Sequence, residues 1–223
     1  MAGTLAKPVT DPGASDFLPA FSKLAVSGIV LSGGRSRRMG TDKGKLRWPP
    51  GNAQGPTLLE VTVARVASVC EEVLVVGSRG PVPAGTRQVP DRYPDGGSLG
   101  GIASGLLAAL HPRALVVATD MPFLNVTLLR WLAERPGEWD ALVPLSREGL
   151  PEPLHAVYAK TCLATLCRRV DAGQLKIQDF LGEVETQLVL AAEWHTHDPD
   201  ARSFFNVNTP EDFAEASDLF TQR

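Results

Sequence analysis

The chain has 223 residues, 43% of them hydrophobic and 21% charged, with a formal net charge of -3. A chain of this length buries roughly 70% of the surface its unfolded form exposes, which is enough for one sizeable core. The slightly negative balance argues against a general nucleic-acid binder, whose phosphate partner calls for a broad positive field. Three cysteines, Cys70, Cys162 and Cys167, give no disulfide framework and point to a reducing compartment. Zinc held by Cys162 and Cys167 would need two more ligands at sensible spacing, and none is near. No signal-peptide pattern and no apolar run of bilayer-spanning length is read, so a cytoplasmic protein without a membrane partner is expected.

In chain order, residues 1–23 are rich in Ala, Pro, Gly, Ser and Thr without a period, and are expected to be a flexible tail ahead of a single domain over 24–223. "AVSGIVLS" from Ala25 is a buried-type strand. "PTLLEVTVARVASVC" has helical spacing through Leu58, Leu59, Val63, Val66 and Cys70. "EEVLVVGS" is a strand, Gly77 to Pro94 a loop-rich stretch, and "GIASGLLAALH" an apolar helix that begins after glycines and stops before Pro112. "RALVVATD" is a continuous apolar strand of the kind a parallel sheet covers on both faces. "NVTLLRWLAERP" is a helix capped by Asn125. "DALVPLS" and "LHAVYAK" are strands, "TCLATLCRRVDAG" and "KIQDFLGEV" helices, and "ETQLVLAAE" a strand. "TPEDFAEASDLF" closes the chain as a helix with Thr209 as N-cap and Pro210 in its first turn.

Strands alternating with helices imply an α/β fold, a mostly parallel sheet with one or two antiparallel strands. In such sheets ligands sit beyond the carboxyl ends of the strands, which singles out Ser32 to Lys45, Gly77 to Arg79, and Asp120. The first of these, "LSGGRSRRMGTDKGK" from Leu31, concentrates positive charge and backbone freedom in one loop. Gly33 and Gly34 let backbone N–H groups approach a ligand, and Arg35, Arg38 and Lys43 supply charge-assisted donors, as a phosphate cradle requires. A solvated turn with surface arginines fits the composition equally well. Two common nucleotide loops fail here. A Walker loop needs glycine where Met39 stands and Ser or Thr where Leu46 stands, and "GGRSRRMG" lacks the glycine order of a dinucleotide fingerprint.

"LSGGRSRRMGTDK" resembles the signature L-x-G-G-x-S-x-R-M-G-x-D-K of the molybdenum cofactor guanylyltransferases. "DRYPDGGSLGGIASGL", "VVATDMPFLN", "EPLHAVY" and "FNVNTPEDF" resemble further blocks of that family, in family order from Leu31 to Phe213. The resemblance implies a three-layer, Rossmann-like nucleotidyltransferase fold. It also implies transfer of GMP from GTP to molybdenum-molybdopterin with release of pyrophosphate, with Mg²⁺ as cofactor. The related alternatives are a molybdopterin cytidylyltransferase or a sugar-phosphate nucleotidyltransferase; a cofactor carrier or chaperone without turnover is a third. Partners beyond the two substrates would be molybdoenzyme chaperones or upstream cofactor-synthesis proteins.

By the same resemblance, Leu31, Ser32, Gly33, Gly34 and Gly77 line the nucleoside with backbone groups. Lys43, Arg35 and Arg38 hold the triphosphate, with Lys43, Arg38 and Asp120 as the catalytic set. Arg37 is structural or faces the cofactor, and Asp42 pairs with Lys43 or an arginine. Asp91 accepts hydrogen bonds from guanine or ribose, against a plain reading as a turn residue. Asp120 ligates Mg²⁺, supported by Asn208 and less directly by Asn206 from a closing strand; their plain readings are a helix cap and an Asx-turn. Ser98 replaces a proline of the family pattern, which loosens that loop. His155 would touch the pterin, whereas His195 and His197 fall in a polar loop.

Overall fold

The structure, a computed structural model, describes residues 22–33 and 43–221, with only the backbone of Lys43. Seven strands form one sheet in the order β3-β2-β1-β4-β6-β5-β7. They are β1 (Leu24–Leu31), β2 (Cys70–Val76), β3 (Arg87–Val89), β4 (Arg113–Ala118), β5 (Ala141–Pro144), β6 (His155–Ala159) and β7 (Thr186–Val189). All neighbours are parallel except β6, which runs antiparallel to both β4 and β5. The expected α/β architecture is therefore present, with one reversed strand.

Side chains alternate between the two faces of each strand, so each face carries its own core. Val30, Val75, Val117, Leu142 and Val157 face α1 (Leu58–Ala67) and α3 (Val126–Glu134). Ile29, Leu74, Val116, Val143 and Tyr158 face α2 (Gly97–Ala108), α4 (Leu163–Asp171) and α5 (Ile177–Leu181). A satellite core of Trp48, Leu58, Val61, Phe123, Val207 and Ala216 lies under α7 (Pro210–Thr221).

The helix starts obey their caps. Thr57 and Glu60 make a reciprocal capping box at α1, and Asp212 accepts from the Asn208 and Thr209 N–H groups while Thr209 Oγ1 accepts from Asp212 N–H at α7. Asn125 Oδ1 accepts from Thr127 N–H at 2.9 Å and Leu128 N–H at 3.4 Å, capping α3. Asn125→Ala is expected to cost about 1 kcal/mol, read as a lower denaturant midpoint at an unchanged slope; an unchanged midpoint would remove the cap from the account.

Four details depart from the sequence reading. Cys70 opens β2 instead of ending a helix, because α1 stops at Ala67 and the turn leads straight into the sheet. The loop-rich stretch after Gly77 contains the short edge strand β3, whose polar residues Arg87 and Gln88 are tolerated because the edge faces solvent. Helix α2 starts at Gly97 and absorbs the glycines. Each glycine weakens a helix, but a Cβ on Gly105 would lie 2.7 Å from Ile29 Cγ2, so their absence of side chain lets α2 press onto β1. "ETQLVLAAE" is split between β7 and a one-turn helix, α6 (Ala191–Trp194). Cys70 and Cys162 are buried, and burial pushes each thiol up to about 12. Among the described residues no helix is long and apolar enough to cross a membrane.

Candidate active site

The register of the sheet levels its strand ends. Leu31 pairs with both Val76 and Ala118, and Val76 pairs with Val89. The chain therefore leaves β1, β2, β3 and β4 along one edge, at Ser32, Gly77, Pro90 and Thr119. The exits are tied to one another: Ser32 N–H donates to Val76 O at 2.9 Å, Gly77 N–H to Val89 O at 3.1 Å, and Thr119 N–H and Oγ1 to Leu31 O at 3.1 and 2.9 Å.

Above this edge lies a cavity of about 580 Å³. Leu31, Ser32, Gly33 and Gly44 form one wall; Asp91, Pro94, Asp95, Gly97 and Ser98 form the second; Asp120, Leu154, Asn206 and Asn208 form the third. Leu31, Ser32, Gly33, Asp91, Asp120 and Asn208, proposed from residues far apart in sequence, thus border one space. Gly77 stands behind it. Its φ is +75°, and a Cβ there would meet Gly33 Cα at 3.0 Å, so the two glycines pack backbone to backbone and keep the nucleoside wall thin. Gly34, Arg35, Arg37, Arg38 and Asp42 lie outside the described residues. Lys43 opens a short 3₁₀ turn, Lys43–Lys45, beside Gly44.

Asp91 comes just after β3. Its Oδ1 accepts from Tyr93 N–H at 3.0 Å, an Asx-turn, and lies 3.0 Å from Ser104 Oγ. Both readings of Asp91 therefore coexist: it shapes the turn and borders the cavity. Pro94, Asp95 and Leu154 were not singled out by sequence; Asp95 sits at a variable place of its block, and nothing local marked it. Ser98 is exposed in the first turn of α2, a helix N-terminus with no side-chain cap.

Asp120 comes just after β4, and its Oδ1 is buried. Its carbonyl accepts Val207 N–H at 2.8 Å, which lays the closing segment alongside it. That segment, Phe205 to Asn208, is an irregular stretch and not the strand expected, because its one anchor is a loop carbonyl and not a sheet neighbour. Alternation still governs it. Val207 points into the satellite core, while Asn206 and Asn208 turn to the cavity. Asn206 Nδ2 donates to Phe204 O at 3.0 Å. Beneath them Trp48 meets Phe123, Phe213 and Phe220 edge-on at 5.4, 6.2 and 5.6 Å, and Phe123 meets Phe205 at 5.9 Å. This cluster fixes the Asp120 turn against the closing segment.

A buried carboxylate oxygen beside two amide side chains is a hard, all-oxygen donor set, and it suits Mg²⁺, which takes few protein ligands and fills its shell with phosphate and water. Among the described residues no group of three His, Cys, Asp or Glu side chains forms a metal cage, so a metal here depends on its substrate for the remaining ligands. His155 does not fit the pterin role: it is 0% exposed, in edge contact with Phe204 at 5.0 Å. Desolvation pulls its pKa down to about 3, keeping it neutral. His195 caps α6 with Nδ1 near Ala192 O at 3.0 Å, and His197 stacks on Trp131 at 4.8 Å.

The sequence profile described as a MobA-like NTP transferase domain matches residues 28–187. A relative from Chloroflexus aggregans, named a probable molybdenum cofactor guanylyltransferase, is 44% identical over 196 residues, covering 85% of this chain and 92% of its own. One of the same name from Pelotomaculum thermopropionicum is 36% identical over 199 residues, covering 86% and 92%. The crystal structure of molybdopterin-guanine dinucleotide biosynthesis protein A from Archaeoglobus fulgidus superposes with a TM-score of 0.75 at 27% identity, covering 89% of this chain and all of that one.

Proposed function

This chain belongs to the family of MobA-like NTP transferases and is a nucleotidyltransferase, and we propose that the nucleotide is GTP and the acceptor is molybdenum-molybdopterin. The observation that carries the reading is the single cavity bordered by Gly33, Asp91 and Asp120. It joins a backbone-lined wall suited to a nucleoside to a buried carboxylate suited to a metal-bound triphosphate. The names of the relatives support the choice of substrates.

In this reading Leu31, Ser32, Gly33 and Gly34 lie along the nucleoside through their backbone, and Asp91 accepts hydrogen bonds from the guanine N1–H and 2-amino groups. Lys43, Arg35 and Arg38 hold the triphosphate. A terminal phosphate oxygen of the acceptor attacks the α-phosphorus; the bond from that phosphorus to the bridging oxygen of the β-phosphate breaks, and pyrophosphate leaves with the bonding pair. The acceptor phosphate is already ionised at neutral pH, so no side chain is assigned as base. The work of the protein is alignment and charge compensation. Asp120 and Asn208 would hold Mg²⁺, which supplies positive charge to the triphosphate and to the leaving pyrophosphate.

The competing nucleotides separate in one measurement. With Mg²⁺ present, calorimetric titration is expected to show GTP binding about tenfold or more tighter than CTP, ATP or UTP, the scale set by a carboxylate left without its donors. Tighter CTP binding would replace the guanine reading with a cytidine one. Pyrophosphate release from GTP in the presence of the molybdenum-loaded pterin separates an enzyme from a carrier.

A further inference from the structure

Ser104 lies in the body of α2 and is 1% exposed. A serine inside a helix ordinarily returns its hydroxyl to the carbonyl four residues back, and Ser104 Oγ is indeed 2.8 Å from Gly100 O. Two further contacts have no place in helix geometry. The Arg92 N–H donates to Oγ at 2.9 Å, and Oγ lies 3.0 Å from Asp91 Oδ1. A hydroxyl has one proton to give, and the choice lies between a neutral carbonyl and a carboxylate. The ionised carboxylate is the stronger acceptor.

With the hydroxyl turned to Asp91, Oδ1 is held from the protein side by two donors, Ser104 Oγ and Tyr93 N–H. The rotation of the carboxylate is then fixed, and Oδ2 is the oxygen left for the cavity. The same hydroxyl holds the backbone of the next residue, so it sets both the position and the plane of the group. The glycines around it leave it no alternative packing: a Cβ on Gly100 would lie 2.7 Å from Tyr93 O, so the 91–96 turn sits directly on the helix.

We propose that Ser104 is a positioning residue for base recognition, orienting Asp91 so that its second oxygen meets the guanine N1–H and 2-amino donors. This rests on the reading of Asp91 given above. Ser104 itself touches no substrate. It acts on the discrimination between bases and not on the grip of the phosphates, which belongs to the opposite wall.

The test uses the full chain with Mg²⁺ and four probes: GTP, ITP (which lacks the 2-amino group), 2′-deoxy-GTP and inorganic tripolyphosphate. Asp91→Asn is expected to lower the GTP:ITP affinity ratio about tenfold, the scale of one lost charge-assisted hydrogen bond. Ser104→Ala is expected to lower it about three- to fivefold, Ser104→Cys less, and the Asp91→Asn/Ser104→Ala pair no further than Asp91→Asn alone. Tripolyphosphate binding is expected to stay within about twofold in every variant. If Ser104→Ala weakens all four probes equally, or adds its full effect to that of Asp91→Asn, Ser104 is structural and the proposal is overturned. If Asp91→Asn leaves the GTP:ITP ratio unchanged, the fault lies in the assignment of Asp91. A change confined to the GTP:2′-deoxy-GTP ratio overturns base recognition in favour of the ribose.

Discussion

Asp120→Ala is expected to slow GTP-dependent pyrophosphate release by on the order of 10³-fold, the range seen when a charge-stabilising group is removed from an active site. The argument starts from burial. The Oδ1 of Asp120 is buried at the floor of the cavity, where charge interacts more strongly than in bulk water. A cation held there lies between that carboxylate and the phosphates that must shed charge as pyrophosphate departs. The fold is expected to survive, because the bond that ties this turn to the closing segment uses the Asp120 carbonyl and not its side chain. Thermal unfolding of the variant should match the parent. Asp120→Asn keeps the shape and loses the charge, so it should be slow as well while still binding GTP. Full activity in Asp120→Ala would sink the metal assignment, and with it the division of labour between the walls.

Gly77→Ala is expected to lose about tenfold or more in nucleotide affinity, alongside a stability loss of about 1–3 kcal/mol from the left-handed backbone. Two causes act at this position, and a second glycine separates them. Gly85 has φ +78°, almost the same as the +75° of Gly77, but a Cβ on Gly85 would meet nothing within 4 Å. Gly85→Ala therefore carries the backbone strain alone and should bind nucleotide normally. The Cβ of Gly77→Ala would stand 3.0 Å from Gly33 Cα and 3.8 Å from Asp91 Cβ. Room is made only by moving the β1 exit or the Asp91 turn, and both border the cavity. Comparison of the two variants by GTP titration and by denaturant unfolding reads the steric part directly; equal nucleotide affinity in both would mean the Gly33–Gly77 contact has no bearing on binding.

The features legible in the sequence are those with a local physical cause. Long apolar strands such as "ALVV" in β4 announce themselves because both faces are covered, and the capping residues Thr57, Asn125 and Thr209 mark helix starts by the hydrogen bonds they go on to make. The three-residue β3 was hidden because edge strands can be short and polar. The start of α2 was hidden because its glycines signal turns locally, and only the close approach to Ile29 and Leu31 explains them as helix. At the site, charged or glycine-rich groups at strand ends were legible: Gly33, Asp91 and Asp120. Features that depend on long-range contact were not. His155 sits in a block shared with the family, yet its burial comes from Phe204, nearly fifty residues later. Ser104 reads as one more small residue on an apolar helix until the Asp91 turn is laid against it. The arginines of the loop, Arg35 and Arg38, stand on sequence alone.

The strand order has a corollary for how such a molecule can change over time. Every strand before residue 119 lies on one side of the β4–β6 pairing, and every strand after it lies on the other. The nucleoside wall is thus encoded by a continuous N-terminal stretch, and the partner molecule is met chiefly by the C-terminal remainder. The two meet at a single antiparallel seam, where Asp120 and the closing asparagines sit. A lineage can exchange the later half, and so the molecule that receives the nucleotide, without rewriting the half that selects the base. A chimera joined at that seam would inherit its nucleotide preference from one parent and its acceptor from the other.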